Sequence, residues 1–402
     1  MLAEQIPIPS QKIKYGLSRT VKFLKECKSP QKNFFSIQIL GTNGKGTTVK
    51  LISQILISSG YRVGTFLSPH LVEVNERIQV NNQNISDKDI KYFLKKYYKR
   101  PLKTEPSFFE LMTAMGAWYF NKQKVDFAIL ETGLGGRLDS VTACQNRILG
   151  FTPISMDHHN ILGNTLKKIV LEKAGAIINS SQVCLSVNQG AYVNGLLSQE
   201  AGLLNNKIKI IRNSNSFKFK YLYGDQNQTN ARLAQAIIFE LEKIKKIKIN
   251  KNIIKKGIFT TRWPGRFQII KNNPLIIYDV AHNKDSLKCF LDSFIQFNRK
   301  KNIATKNIIL AFEESKKIRS TLKLFESHFH NIICSETNIR TSMKHNRIQS
   351  IFTKKTTGTA NLENAIIQTI KKTNKNDCVV ILGSHYIATT LNKIFKNCFV
   401  HK

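Results

Sequence analysis

Between Phe35 and Ser59 the chain passes from an unbroken apolar run, Phe35 to Leu40, through Gly41-Thr42-Asn43-Gly44-Lys45-Gly46-Thr47 into a segment with apolar residues at Val49, Leu51, Ile52, Ile55 and Leu56. The spacing predicts a buried strand, a glycine-rich turn and an amphipathic helix from Thr47 to Ser59. Such a turn aims backbone N–H groups at an anion on the positive end of the helix. Lys45 adds a point charge, and a threonine hydroxyl offers a magnesium ligand. A nucleotide triphosphate is the ligand class implied. The plainer alternative is a tight strand-to-helix turn, because Gly46 interrupts the common G-x-x-x-x-G-K-[ST] pattern.

Strand-like and helix-like segments alternate along almost the whole chain, which predicts an α/β fold with largely parallel strands. The apolar runs place strands at Phe35 to Leu40, Arg62 to Phe66, Phe127 to Glu131, Ile148 to Ile154 and Val183 to Val187. Helices are expected at Lys88 to Tyr98, where Ser86 precedes Asp89 as a cap, and at Phe109 to Asn121. A Pro-Gly pair at Pro264-Gly265 breaks the pattern. A second series follows, with strands at Phe267 to Ile270, Leu275 to Asp279, Asn307 to Ala311, Asn331 to Cys334 and Cys378 to Leu382. The expected domains are therefore 1–262, a parallel sheet with the P-loop, and 263–402, a smaller doubly wound Rossmann-like unit. Ligand sites in such sheets form at the C-terminal strand ends.

At 402 residues the chain is long enough for two cores. Its seven cysteines are scattered singly, without metal spacing, and predict a reduced cytoplasmic protein. No apolar run is long enough for a membrane span. The net charge of +36 raises the question of nucleic acid. Lysines are spread over the predicted helices among Asn and Ile, however, and no nucleic-acid module accompanies them, so no nucleic-acid partner is expected.

Polar residues recur at strand tips, where phosphoryl chemistry needs them. Ser68-Pro69-His70 follows one strand, Glu131 ends another, and Asp157-His158 follows a third. Hard oxygen ligands with one imidazole suit Mg²⁺. In the second series, Asp279 ends a strand and precedes His282-Asn283. Asp279 either accepts hydrogen bonds from a ribose or caps the following helix.

In order, Gly41 to Thr47, Ser68-Pro69-His70-Leu71, Asn75-Glu76-Arg77, Phe109-Glu110, Glu131 to Asp139, Asp157-His158, Glu172 to Gly175, Pro264 to Phe267 and Asp279 to Asn283 resemble the folylpolyglutamate synthase/dihydrofolate synthase family of the Mur-ligase superfamily. The resemblance runs from about Ile13 to the last helix. It implies a Mur-ligase central-type domain followed by the family's C-terminal domain. It also implies a bifunctional ATP-dependent ligase that joins L-glutamate to 7,8-dihydropteroate and to tetrahydrofolates through an acyl phosphate. By position, Thr42, Asn43, Gly44, Lys45, Gly46 and Thr47 would hold the ATP phosphates, with Asn230, Arg266 and Asp279 on the nucleotide. Ser68, Glu131 and His158 would ligate Mg²⁺, and a monovalent cation such as K⁺ is compatible. Lys45, Glu131, His158 and Lys173 carry the catalytic roles, with Lys173 at the position carbamylated in relatives. Lys14, Tyr15, Ser107, Phe108, Phe109, Glu110, Asp139, Ser140, Val141, Thr142 and His282 match substrate contacts. A monomer is expected.

The chain departs from the family where relatives read Asp-Ala-Thr-Asn, having Asp139-Ser140-Val141-Thr142, where Glu313 to Lys317 replaces an Asp-Lys-Asp motif, and in a first N-terminal helix expected to be shortened or missing. A smaller hydroxyl at Thr142 in place of an amide predicts altered pterin contact. Two rival readings are a cell-wall Mur ligase, for which too little chain precedes Gly41, and a nucleic-acid-stimulated P-loop ATPase.

Overall fold

The computed structural model describes residues 16–98, 102–212, 214–314, 318–337, 339 and 341–399. The chain divides into two compact units. The first runs to Lys220 and takes in Asn227–Thr261; the second comprises Tyr221–Gln226 and the chain from Arg262.

The first unit is built on an eight-stranded sheet. Its strands are β1 (Phe35–Leu40), β2 (Val63–Phe66), β3 (Ile78–Val80), β4 (Gln83–Asn84), β5 (Phe127–Glu131), β6 (Ile148–Phe151), β7 (Val183–Val187) and β8 (Ile208–Ile211). The order is β4-β3-β2-β5-β1-β6-β7-β8. All neighbours are parallel except the pairs β2/β3 and β3/β4. β1 sits between β5 and β6, each paired with it in parallel. The chain visits one side of β1 first and the other later, so a crevice opens at the C-terminal end of β1.

The strands read as continuous apolar runs because helices cover both faces. β5 is buried at every position, and β1 at all but Phe35. The helix Phe108–Lys122 is buried from Glu110 through Phe120. Leu111, Met115 and Phe120 pack in one core with Phe66, Ile78 and Phe93, all within 1% of full burial. Each such side chain contributes roughly 1.5–3 kcal/mol. The cap expected before the helix Asp87–Tyr97 is present, with Ser86 Oγ accepting from Asp89 N at 3.1 Å. The antiparallel hairpin of β3 and β4 was not anticipated. It turns on Asn81 and Asn82, both at positive φ (49° and 64°), a conformation that asparagine tolerates. The helix Ser18–Glu26 was not anticipated either.

The second unit has a six-stranded sheet of β9 (Gln268–Asn272), β10 (Leu275–Asp279), β11 (Lys306–Leu310), β12 (Asn331–Ser335), β13 (Thr357–Thr359) and β14 (Cys378–Leu382). The order is β13-β12-β11-β14-β10-β9, with only β9 antiparallel to its neighbour. Its core stacks Phe290, Phe294, Phe325 and Phe329 against β11 and β14. Among the described residues no helix is long and apolar enough to cross a membrane.

Candidate active site

At the end of β1 the helix Lys45–Ser58 begins without a side-chain cap. Its N-cap is Gly44 at φ 87°, and a Cβ there would come 2.4 Å from Asn230 Oδ1. Asn230, on the helix Gln226–Lys245, is buried against this turn. Thr48 N donates to Gly44 O at 2.9 Å and closes the first turn. The amides of Lys45, Gly46 and Thr47 thus have no acceptor within the helix and sit at its positive end.

The loop before them is held by its neighbours. Thr42 N donates to Pro153 O at 2.8 Å, and Asn43 N to the same oxygen at 3.3 Å. Thr42 Oγ1 donates to Ser155 O at 3.1 Å and accepts from Ser155 N at 3.0 Å. Thr42 therefore shapes the turn with its own polar groups. Lys45 Nζ donates to Thr42 O at 3.1 Å.

Lys173, on the helix Leu166–Ala174, is 5% exposed, and its Nζ donates to Gly41 O at 2.8 Å. Burial pushes its amine down to about 7; the Lys45 charge adds to this, while Asp157, Asp139 and Glu172 oppose it. Lys173 is thus not a solvated helix lysine: the chain at Gly41 covers it, which helical spacing does not register.

Glu131 ends β5, in register with Ile39 of β1, and its Oε2 accepts from Ser68 N at 3.1 Å. The structure thus joins Ser68 to Glu131. Asp157 Oδ1 accepts from His158 N at 2.8 Å, and its Oδ2 lies 3.9 Å from His158 Nε2. His158 has φ 49° and a half-exposed side chain. Among the described residues there is no ready cluster of three His, Cys, Asp or Glu side chains. The donors present at Ser68 and Glu131 are hard oxygens beside a phosphate-type turn, which fits an Mg²⁺ ion that completes its shell with phosphate and water.

Ser107 and Glu110 form a capping box on the helix Phe108–Lys122. Glu110 Oε2 accepts from Ser107 N at 2.6 Å and from Arg19 Nε at 3.3 Å; its Oε1 accepts from Arg19 Nη2 at 3.1 Å and Thr20 Oγ1 at 3.3 Å. Phe108 lies under the Arg77 guanidinium at 5.3 Å, and Arg77 Nε donates to His70 Nδ1 at 2.9 Å. The Phe109 ring tilts against Phe66 at 5.6 Å. Asp139 Oδ2 accepts from Gly133 N and Leu134 N at 3.0 and 2.9 Å, and its Oδ1 from Val141 N at 3.0 Å. Burial raises this carboxyl to about 6 against those bonds and the Lys45 charge. Lys14 and Tyr15 lie outside the described residues, as do 315–317 of the altered motif.

In the second unit, Asp279 Oδ2 accepts from Phe267 N and Oδ1 from Ala281 N, each at 2.7 Å. Burial raises its pKa, and the Arg266 charge opposes this. The helix Lys284–Lys301 is capped instead by Asn283, whose Oδ1 accepts from Ser286 N at 2.9 Å. Of the two expectations for Asp279, helix capping is therefore corrected, because Asn283 stands nearer the first turn. His282 Nδ1 lies 2.9 Å from Val280 O, and its backbone N donates to Ser286 Oγ at 3.1 Å.

Residues 265–385 match the Mur ligase, glutamate ligase domain. The dihydrofolate synthase/folylpolyglutamate synthase of Bacillus subtilis (strain 168) is 29% identical, over 96% of this chain and 96% of that protein. The protein of the same name from Buchnera aphidicola subsp. Schizaphis graminum is 30% identical, over 68% of this chain and 72% of its own length. This chain belongs to the dihydrofolate synthase/folylpolyglutamate synthase family. The fold agrees: the bifunctional folylpolyglutamate synthase/dihydrofolate synthase of Yersinia pestis, crystallised with AMPPNP and Mn ion, superposes with a TM-score of 0.84 at 23% identity, covering 98% of this chain and 96% of that one. The family resemblance and the two-sheet α/β architecture expected of the dihydrofolate synthase/folylpolyglutamate synthase family are both borne out.

Sequence reasoning missed several residues around this site. Gln38 is a polar residue inside an apolar strand, which is itself a signal. Arg77 stands in the Asn75-Glu76-Arg77 motif, but its bond to His70, like the Arg19–Glu110 pair, has no sequence signal. Pro153 and Ser155, which hold the phosphate turn, are likewise visible only in three dimensions.

Proposed function

We infer that this chain is an ATP-dependent carboxylate–amine ligase, joining L-glutamate to 7,8-dihydropteroate and to tetrahydrofolates. The observation that carries the reading is the uncapped helix start at Gly44, with Lys45 beside it and the Ser68–Glu131 pair on the neighbouring strand ends. ATP phosphorylates the substrate carboxylate, the glutamate amine displaces phosphate from the acyl phosphate, and ADP and phosphate leave. A carboxylate is a poor electrophile, and the acyl phosphate made from it, a mixed anhydride, carries phosphate as a good leaving group.

The amides of Gly44 to Thr47 and the Lys45 ammonium bind and orient the phosphates, and Asn230 packs the turn into shape. Ser68 and Glu131, with His158, would hold Mg²⁺, which when bound neutralises phosphate charge. Lys173 adds a feature of its own. An amine pushed down to about 7 is unprotonated in about half of the molecules in neutral solution, and that is the form that attacks CO₂. Its attack forms an N–C bond, releases one proton and leaves an anionic carbamate. Phe108, Phe109 and Glu110 are proposed to serve the pteroate side. A monomer in the cytoplasm is the proposed state.

Purified protein incubated with Mg-ATP, dihydropteroate and glutamate should release ADP and form dihydrofolate. Folded protein that yields neither overturns the reading. Turnover of a UDP-muramoyl substrate would instead favour a cell-wall ligase, and ADP release driven by nucleic acid would favour a mechanical ATPase.

A further inference from the structure

The substrate-matched segment Asp139 to Thr142 directs every one of its side chains into the protein. The Asp139 carboxylate is taken by the amides of Gly133, Leu134 and Val141. Ser140 Oγ lies 2.5 Å from Thr113 Oγ1, and Thr113 Oγ1 donates to Phe109 O at 2.9 Å, so the Ser140 hydroxyl is the donor of that pair. Val141 is fully buried. Thr142 Oγ1 donates to Gly136 O at 2.8 Å and accepts from Gln38 Nε2 at 3.0 Å. Whatever this segment offers a ligand comes from its backbone and its placement, so the residue that places it matters.

That residue is on β1. Gln38 is fully buried three positions before Gly41. Its Nε2 donates to Thr142 Oγ1 and, at 3.0 Å, to Thr132 Oγ1, the residue next to Glu131. Its Oε1 accepts from Asn146 Nδ2 at 2.9 Å, and the same Asn146 amide reaches Val141 O at 2.9 Å. One side-chain amide therefore ties the strand that feeds the phosphate turn to the strand tip bearing Glu131 and to the segment matched to pteroate.

The structure assigns Gln38 as a positioning residue of the ligation site, setting the distance between the metal-side carboxylate and the pteroate-side segment. The assignment rests on the ligase reading above for what the two sides bind. Gln38 touches neither ligand; it acts through Thr132 on one side and Thr142 on the other. Its removal strands buried donors and acceptors, and the expected effect is roughly tenfold in a binding constant, about 1.4 kcal/mol.

Three variants test the assignment: Gln38→Met, Thr132→Val and Thr142→Val. Each is measured for ligation kinetics, for dihydropteroate binding by fluorescence without ATP, and for Mn²⁺ binding by electron paramagnetic resonance. Gln38→Met should raise the dihydropteroate KM and Kd and weaken Mn²⁺ binding, each roughly tenfold, with the glutamate KM unchanged. Thr142→Val should reproduce only the dihydropteroate effect, and Thr132→Val only the Mn²⁺ effect. Parental constants in Gln38→Met, or an equal fall in kcat alone in all three variants, overturn the assignment. If Gln38→Met does not fold, the two threonine variants decide: failure of their effects to separate overturns it. If the parent does not ligate, the function reading falls, while the two binding measurements still judge Gln38.

Discussion

The helix that follows β1 and the helix that follows β10 start in opposite ways. The helix Lys284–Lys301 closes its own first turn: Asn283 accepts from Ser286 N, and Ser286 Oγ accepts from Asn283 N at 3.1 Å. The helix Lys45–Ser58 has glycine at the equivalent place and no side-chain cap. A cap of the first kind stabilises a helix by about 1 kcal/mol and occupies the donors that would otherwise meet an anion. The contrast teaches where a ligand is expected: the chain supplies its own acceptor at one strand end and withholds it at the other. The strand-tip carboxylates differ in parallel. Asp279 gives both oxygens to the backbone amides of Phe267 and Ala281, whereas Glu131 bonds the amide of Ser68, itself a candidate ligand.

The largest effect should come from Lys45→Ala. Removing the ammonium beside the open turn is expected to lower kcat for pteroylglutamate synthesis by roughly 10³-fold with the fold retained, and parental turnover would break the contrast outright. Next, Gly44→Ala places a methyl at φ 87° within 2.4 Å of Asn230 Oδ1. A residue in that backbone region costs about 1–2 kcal/mol, so nucleotide affinity by calorimetry should fall roughly tenfold. Third, Asn283→Ala should lower unfolding stability by about 1 kcal/mol in urea titration while leaving nucleotide affinity unchanged. Nucleotide loss there would mean that the capped helix start also serves the ligand.

The smallest effect concerns Lys50, buried on the open helix with Nζ donating to Gln79 Oε1 at 3.1 Å and Asn82 Oδ1 at 2.6 Å. Burial pushes this amine down to about 8 from 10.5. Between those values the unfolded chain holds more protons than the folded one, so this group's contribution makes stability rise with pH across that window. Lys50→Met should flatten the rise of the melting temperature between about pH 8 and pH 10, and an unchanged slope would show that the amine does not titrate as its burial requires.

Much of the first sheet was legible in the sequence because its strands are buried on both faces and read as apolar runs, as Phe127 to Leu130 shows. The hairpin of β3 and β4 was not, because strands of three and two residues are too short to display a period. The phosphate turn was legible from its glycines and lysine. The role of Gln38 was not: its partners stand 94, 104 and 108 residues further along the chain, and a single amide in an apolar run names none of them. Glu110 was legible only through the Phe109-Glu110 pair of the family resemblance, and its capture by Arg19, 91 residues earlier, depends on the packing of the helix Ser18–Glu26. For Lys173, the family resemblance singled out the residue, and tertiary burial sets its chemistry.

The nearness of Lys45 to Lys173 has a consequence for handling the protein. Two amines share one small region, and the positive field of Lys45 disfavours a proton on Lys173. Any polyanion that settles there relieves this repulsion, so pyrophosphate or tripolyphosphate alone should raise the melting temperature, turning a simple heating curve into a gauge of occupancy.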